Sequence, residues 1–217
     1  MRINKYLAHK GYATRRGADD MIAKGHVFIN GRVAVLGDQV EDTDKVEVRR
    51  VAKPLTYSYL AYHKPTEEVT PSAKHPGDLF PIGRLDQDSS GLMILTNDGR
   101  ITDRLLNPDH EHEKEYLVEV RNSLRPSFQS HMEAGVAIGD GVTKPCKIKI
   151  MGDREFAVTL TEGKKHQIRR MCAALHNDVV RLKRSRIMNI KLGSLAPSAT
   201  RAIEGAELKT FLKKLGL

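Results

Sequence analysis

The apolar residues of this chain switch repeatedly between helical and strand spacing. Ile3, Tyr6 and Leu7 recur at helical intervals over residues 2–10, with Arg2, Lys5 and Lys10 on the other side. Gly11-Tyr12-Ala13 interrupts that pattern. Thr14 is an N-capping residue type and predicts a second helix to about Lys24, with Gly25 just past its end. Val27-Phe28-Ile29 then alternates, Asn30-Gly31 favours a type I′ hairpin turn, and a strand returns from Arg32 to Val35. Val46-Glu47-Val48 reads as one more short strand. So few elements would be marginally stable alone.

Val51 to Thr56, with Pro54, reads as a linker. Tyr57 to Tyr62 alternates as the first strand of a second domain, ended by His63-Lys64-Pro65. Residues 66–80 are polar and turn-rich. The stretch PIGRLDQDSSGLMILTNDG (81–99) then sets Gly83, Arg84 and Asp86 in a short loop before the buried strand Leu92–Leu95. A helix is expected from Arg100 to Leu106, stopped before Pro108, and a strand from Lys114 to Val120 with Tyr116, Val118 and Val120 on one face. Residues 125–134 read as a helix, and strands follow at Val136–Ile138, Cys146–Ile150 and Phe156–Leu160. His166–Leu175 is a helix with Ile168, Met171, Cys172 and Leu175 inward. Val179–Leu182 and Ile187–Leu192 are two strands with Arg184-Ser185-Arg186 between them, and Ala206–Leu215 is a basic amphipathic helix. Many short strands with few helices indicate an α+β fold on a mainly antiparallel sheet with flanking helices. The expected division is a small module at 1–50, a linker at 51–56 and a larger domain at 57–217.

Composition narrows the partners. The 217 residues, 40% hydrophobic and 29% charged, can bury a proper core. No run approaches the roughly 20 apolar residues of a membrane span, and the N-terminus has no signal-peptide apolar region. Cys146 and Cys172 form neither a disulfide framework nor a zinc-ligand pair, and free thiols suit a reducing cytoplasm. A net charge of +9 and a pI near 9.6 point to a polyanion, nucleic acid first. Residues 163–191 hold nine basic side chains against Asp178 alone, and residues 1–53 hold 11 basic against 7 acidic. Two basic ends around a slightly acidic middle suggest two contact surfaces for one long anion.

Candidate chemistry centres on Asp86. A carboxylate on a loop anchored by a buried strand is either a reactive group or the cap of its own turn. Tyr116 fits a core aromatic or a site residue, and Arg169, at the edge of an apolar helical stripe, is either stem-packed at the surface or aimed into a cleft. His110 and His112, at i and i+2 in an acidic loop, lack a third spaced ligand, so no metal is expected.

Residues 2–48, with Thr-Arg-Arg at 14–16 and Val-Phe-Ile-Asn-Gly at 27–31, resemble the S4 RNA-binding domain, a small αL-type module. FPIGRLDQDSSGLMILTNDG (80–99), EKEYLVEV (113–120), LTEGKKHQIRRMC (160–172) and RLKRSRIMNIKL (181–192) resemble the RsuA-type pseudouridine synthases, closest to the RluF branch. The resemblance implies an S4 module followed by a pseudouridine synthase domain. It implies an isomerase that turns a specific uridine of structured RNA into pseudouridine without cofactor or metal, most simply on large-subunit rRNA. It also implies Asp86 as catalytic aspartate, Tyr116 as active-site tyrosine and Arg169 as the arginine that pairs with the aspartate. RNA contacts are expected from Arg84 and Lys64 beside the site, and from Arg2, Lys5, Arg15 and Arg16 in the small module. Lys164, Lys165, Arg170, Arg184 and Arg186 complete them in the basic segment. A monomer in the cytoplasm is expected. A tRNA or small-subunit rRNA substrate stays open, as do a glycosidase and a non-catalytic RNA-binding or ribosome-assembly protein. Thr66-Glu67-Glu68 departs from the glycine and apolar residues common there in that family.

Overall fold

The structure is a computed structural model and describes residues 1–49, 56–70 and 79–217. Of the expected linker at 51–56, all but Thr56 lies outside the described residues, as does the 71–78 part of the polar loop. The chain divides into two compact units, residues 1–58 with 97–101 and residues 59–96 with 102–217.

In the smaller unit, α1 (Ile3–His9) and α2 (Arg15–Ala23) form where the periodicity placed them. Thr14 caps α2, its hydroxyl accepting the Gly17 N–H at 3.1 Å. β1 (Val27–Ile29), β2 (Arg32–Val33) and β3 (Val46–Val48) make a three-stranded antiparallel sheet in the order β2-β1-β3. The hairpin turn puts Asn30 at φ 50° and Gly31 at φ 82°, the left-handed pair that a type I′ turn requires. β2 is shorter than its apolar pattern suggests. The Asp38 carboxylate accepts the Val35 N–H at 2.8 Å and turns the chain out of the ladder. Ile3, Leu7, Ala18, Ile22 and Val27 form the buried core of this unit.

The larger unit is built on one sheet. Its strands are β4 (Tyr59–Lys64), β5 (Phe80–Ile82), β6 (Ser90–Thr96), β7 (Lys114–Val120), β8 (Lys147–Ile150), β9 (Glu155–Leu160), β10 (Val179–Ile187), β11 (Ile190–Lys191) and β12 (Thr200–Ala202). Helix α3 (Arg100–Leu106) follows β6, α4 (Phe128–Ala134) precedes β8, α5 (Gln167–Ala174) precedes β10 and α6 (Gly205–Lys214) is last. The sheet runs β12-β4-β6-β10-β7-β9-β8, with β5 also on β6 and β11 also on β10. Only the β6–β10 pairing is parallel among the described residues.

Three differences from the sequence reading have physical causes. β4 continues through Lys64, whose backbone pairs with Gly91, so the strand stops at Pro65 and not at Tyr62. Val136–Ile138 forms only the single bridge Ala137–Val142. The break expected at Arg184-Ser185-Arg186 falls later: β10 runs through those residues with a register shift between Arg184 and Arg186, and the chain turns at Met188-Asn189 before β11 pairs back on β10. Those polar residues lie in the middle of the sheet, where cross-strand pairing overrides their hydrophilicity.

Tyr116 lies opposite Arg184 of β10 and Val158 of β9, and Arg184 lies opposite Gly91 of β6. One apolar cluster joins Val118, Phe156 and Val158 to Phe128, Met132, Ile168 and Met171 of α4 and α5. A second joins Tyr62, Leu79, Leu85, Met93 and Leu95. Tyr116 packs against both and marks their junction.

Candidate active site

The chain from Gly83 to Ser89 links β5 to β6 and carries Asp86. Its backbone groups have few strand partners, so donors from elsewhere must satisfy them. Lys64 Nζ donates to the carbonyls of Pro65 at 2.9 Å, Ser89 at 2.8 Å and Gln87 at 3.4 Å. Arg184 donates from Nε to the Leu92 carbonyl at 2.7 Å and from Nη1 to the Arg84 carbonyl at 3.5 Å. Thr70 brackets Leu85, its hydroxyl donating to the Leu85 carbonyl at 2.6 Å and accepting the Leu85 N–H at 3.1 Å.

These bonds correct two expectations. Lys64 and Arg184 were expected at RNA, but both are buried, at 0% and 4% exposure, and grip the loop from beneath. Burial pushes the Lys64 ammonium below its usual range, while the carboxylates of Glu68, Asp88 and Asp86 act against that shift. Among the described residues, Arg184 keeps one buried donor, Nη2, without a partner. Its close fit to β6 depends on Gly91 at φ 116°, where an added Cβ would sit 2.4 Å from the Arg184 carbonyl oxygen.

With the backbone held, the Asp86 side chain remains 40% exposed. His166 Nε2 lies 3.5 Å from Asp86 Oδ1. That histidine precedes α5 in the left-handed region, at φ 51°, a conformation that costs a non-glycine residue about 1 kcal/mol or more. Its neighbours fix it there: Gln167 accepts the Lys164 N–H at 2.9 Å and donates to Glu162 Oε1 at 2.7 Å.

Arg169 does not pair with Asp86 in this structure. Its guanidinium meets the Asp88 carboxylate at 2.9 Å, the Asp88 carbonyl and the Ser89 hydroxyl at 3.3 Å each, and the Val179 carbonyl at 3.2 Å. His166, the residue before α5, faces Asp86, while Arg169 within the helix meets the loop at Asp88 and Ser89. Asp86, Arg169 and His166 therefore meet around one loop. Leu85 of that loop belongs to the cluster against which Tyr116 packs. Arg84 is exposed.

The remaining cations sort into two kinds. Arg170 is bound by the Asp140 carboxylate and the Ile138 carbonyl, and also donates to the Lys165 carbonyl at 3.0 Å. Arg186 bonds Glu113 at 3.2 Å and the Met188 carbonyl at 2.8 Å, with Glu115 at 3.5 Å. Lys164 donates to the Val142 carbonyl at 3.2 Å. Arg170 and Arg186, expected as free RNA contacts, are thus engaged by carboxylates of their own chain. Lys165 is exposed and, among the described residues, unpaired; so are Arg2, Lys5, Arg15 and Arg16 in the smaller unit.

His110 and His112 stack with ring centroids 5.9 Å apart. Burial, together with the charges of His110 and Lys114, pushes His112 down from its ordinary range. Among the described residues no group of three His, Cys, Asp or Glu side chains could hold a metal ion, and no helix is long and apolar enough to cross a membrane.

Comparison with known proteins decides the family. Residues 37–174 match the family model described as RNA pseudouridylate synthase, and residues 1–46 match the S4 domain. The chain belongs to the RNA pseudouridylate synthase family. It is an isomerase that converts uridine in RNA to pseudouridine. This pseudouridine synthase is 39% identical to the dual-specificity RNA pseudouridine synthase RluF of Salmonella typhi, over 98% of this chain and 78% of that one. It is 33% identical to the ribosomal large subunit pseudouridine synthase B of Bacillus subtilis, over 96% and 94% of the two chains. A solved pseudouridylate synthase superposes with a TM-score of 0.72 at 30% identity, covering 99% of each chain. The expected synthase architecture, an S4 module before an α+β domain on a mainly antiparallel sheet, is therefore the observed one.

Sequence reasoning did not single out His166, nor the loop-holding role of Lys64 and Arg184. The signal for His166 was its place immediately before the Gln167-Ile168-Arg169-Arg170 run. Nothing in the local pattern marks Lys64 and Arg184 as buried.

Proposed function

We propose that Asp86 carries the chemistry, with Tyr116 and Arg169 as its partners, on a uridine extruded from structured RNA. The observation that carries this reading is the clamped loop, in which the carbonyls of Arg84, Leu85, Gln87 and Ser89 on both sides of Asp86 are held while its carboxylate stays reachable. The reaction detaches uracil from C1′, turns it, and rejoins it through C5. Atoms and electrons balance within the nucleotide, C1′ being reduced and C5 oxidised by the same exchange of bonds, so the reaction needs no external oxidant, reductant or group donor.

A base inside a duplex must leave the stack before its glycosidic bond can be reached. Ionised Asp86 then either attacks C1′ or stabilises the positive charge that grows there, as carboxylates do in glycoside cleavage. Tyr116, at the junction of the two apolar clusters, offers a ring face for the uracil and a phenol oxygen for proton movement. Arg169 secures the Asp88–Ser89 end of the loop, and its buried Nε has no partner among the described residues. Exposed Arg84 sits beside the carboxylate to meet the phosphate of the extruded nucleotide or fill the place it leaves. The S4 module adds affinity and orientation through phosphate contacts.

The substrate best supported is large-subunit rRNA, the RNA that the name of the Bacillus relative carries. The dual-specificity name of the Salmonella relative favours a second RNA as well. The chain acts as a monomer in the cytoplasm. Asp86→Asn should abolish pseudouridine formation in a single-turnover assay and leave RNA affinity within a few-fold; comparable turnover would overturn the assignment. Mapping pseudouridines across the transcriptome, with and without the gene, identifies the uridine.

A further inference from the structure

The clamped loop fixes the backbone on both sides of Asp86, but its half-exposed side chain still has to be aimed. The terminal torsion of an aspartate is broad, so a carboxylate that nothing holds samples many orientations. We infer that His166 is the positioning residue for this carboxylate: its Nε2–H donates toward Asp86 Oδ1 and leaves Oδ2 to serve C1′. The inference rests on the reading of Asp86 as the group that carries the chemistry.

The contact itself sets the direction of donation. An ionised carboxylate only accepts, so the imidazole nitrogen that faces it at 3.5 Å carries the hydrogen. His166 therefore takes no proton through Nε2, and proton movement stays with Tyr116. The distance is long for a hydrogen bond, as catalytic contacts are before substrate closes over them and tightens them. Among the described residues no other lysine, arginine or histidine lies within 4.0 Å of the Asp86 carboxylate. Arg169, expected in that place, is engaged by Asp88 and Ser89.

Folding stability does not account for the arrangement. A half-exposed pair contributes little to it, and the left-handed backbone of His166, at φ 51°, is unfavourable for a residue with a Cβ. A buried network nevertheless enforces that backbone. Gln167 accepts the Lys164 N–H at 2.9 Å and donates to Glu162 Oε1 at 2.7 Å. The same Glu162 oxygen accepts the Lys144 N–H at 2.8 Å. Gln167 and Glu162 are both buried, at 4% and 9% exposure. Lys164 and Gln167, on either side of His166, are thus tied to each other and, through Glu162, to the chain at residue 144. The network holds the imidazole where it meets Asp86, as supporting residues hold a group that must be placed accurately.

The test is a single-turnover assay with enzyme in excess over total RNA from cells lacking the gene, labelled with tritium at uridine C5. Loss of that tritium reports each turnover. His166→Leu removes the donor and should lower the maximal rate about 10- to 100-fold, the range of one hydrogen bond to a charged group. The enzyme concentration giving half that rate should stay within about two-fold. His166→Gln restores an N–H donor that has no basicity, and should return the rate to within about five-fold of the unaltered enzyme. Gln167→Leu should slow the unaltered enzyme about five-fold or more and add little to His166→Leu, since both remove one contact. A glutamine variant as slow as the leucine variant, an unimpaired leucine variant, or a leucine defect confined to the half-saturating concentration would each overturn the inference. Fully additive losses at 166 and 167 would overturn the aiming of His166 by Gln167. Asp86→Asn should release no tritium; turnover there would break the underlying reading instead, so the two failures are distinguishable.

Discussion

The smaller unit and the 163–191 segment are both basic, yet they use their charge in opposite ways. Arg2, Lys5, Arg15 and Arg16 stand exposed with no ion pair among the described residues. In the denser segment, Arg184 is buried against the Asp86 loop, and Arg169, Arg170 and Arg186 are held by Asp88, Asp140 and Glu113. Charge density along a sequence therefore does not measure charge available to a polyanion. A cation already paired or buried releases few counterions when RNA binds, and counterion release supplies the salt-dependent part of affinity.

Lys64 gives the sharpest way to break this contrast. Lys64→Met removes the donor shared by the Gln87 and Ser89 carbonyls of the loop and the Pro65 carbonyl, while a single hydrogen bond to a charged group contributes about 1.5–3 kcal/mol. Turnover should fall by roughly 100-fold or more, and Tm by about 4–10 °C. The salt dependence of RNA binding should stay the same. A flatter salt dependence with intact stability would show instead that Lys64 reaches phosphate.

The exposed cations should respond in the reverse sense. Arg15→Ala combined with Arg16→Ala should weaken RNA binding by about 10-fold at moderate salt and reduce the slope of log K against log salt by roughly 0.7–0.9 per lost phosphate contact. Thermal stability should stay within the roughly 0.5 kcal/mol usual for surface changes. An unchanged slope would place the RNA elsewhere.

The smallest effect is expected at Arg170. Arg170→Ala breaks its pair with Asp140, and a partly exposed pair of that kind contributes about 0–1 kcal/mol. RNA affinity should change by less than about two-fold, since the charge is already neutralised. A large loss of affinity would mean that the pair opens on RNA.

The local elements were legible because periodicity and turn chemistry act between neighbours in sequence. Thr14 before α2, Asn30-Gly31 in the hairpin, and the alternation of Tyr116, Val118 and Val120 needed no distant partner. The break before the last part of Val179–Leu192 was placed too early because Arg184-Ser185-Arg186 looks like a surface turn until β6 and β7 close on both sides. The loop carrying Asp86 was visible as a motif, but its means of support was not, because Lys64 and Arg184 lie far from it in sequence.

By itself, then, the sequence determined the helices, the turns and the aspartate loop, since steric and hydrogen-bonding preferences of adjacent residues suffice for those. Tertiary structure alone decided which arginine meets which carboxylate, which lysine is buried and that His166 faces Asp86. Those outcomes depend on where unsatisfied carbonyls and carboxylates fall once the sheet has closed, and pairing over that distance leaves no trace in local spacing.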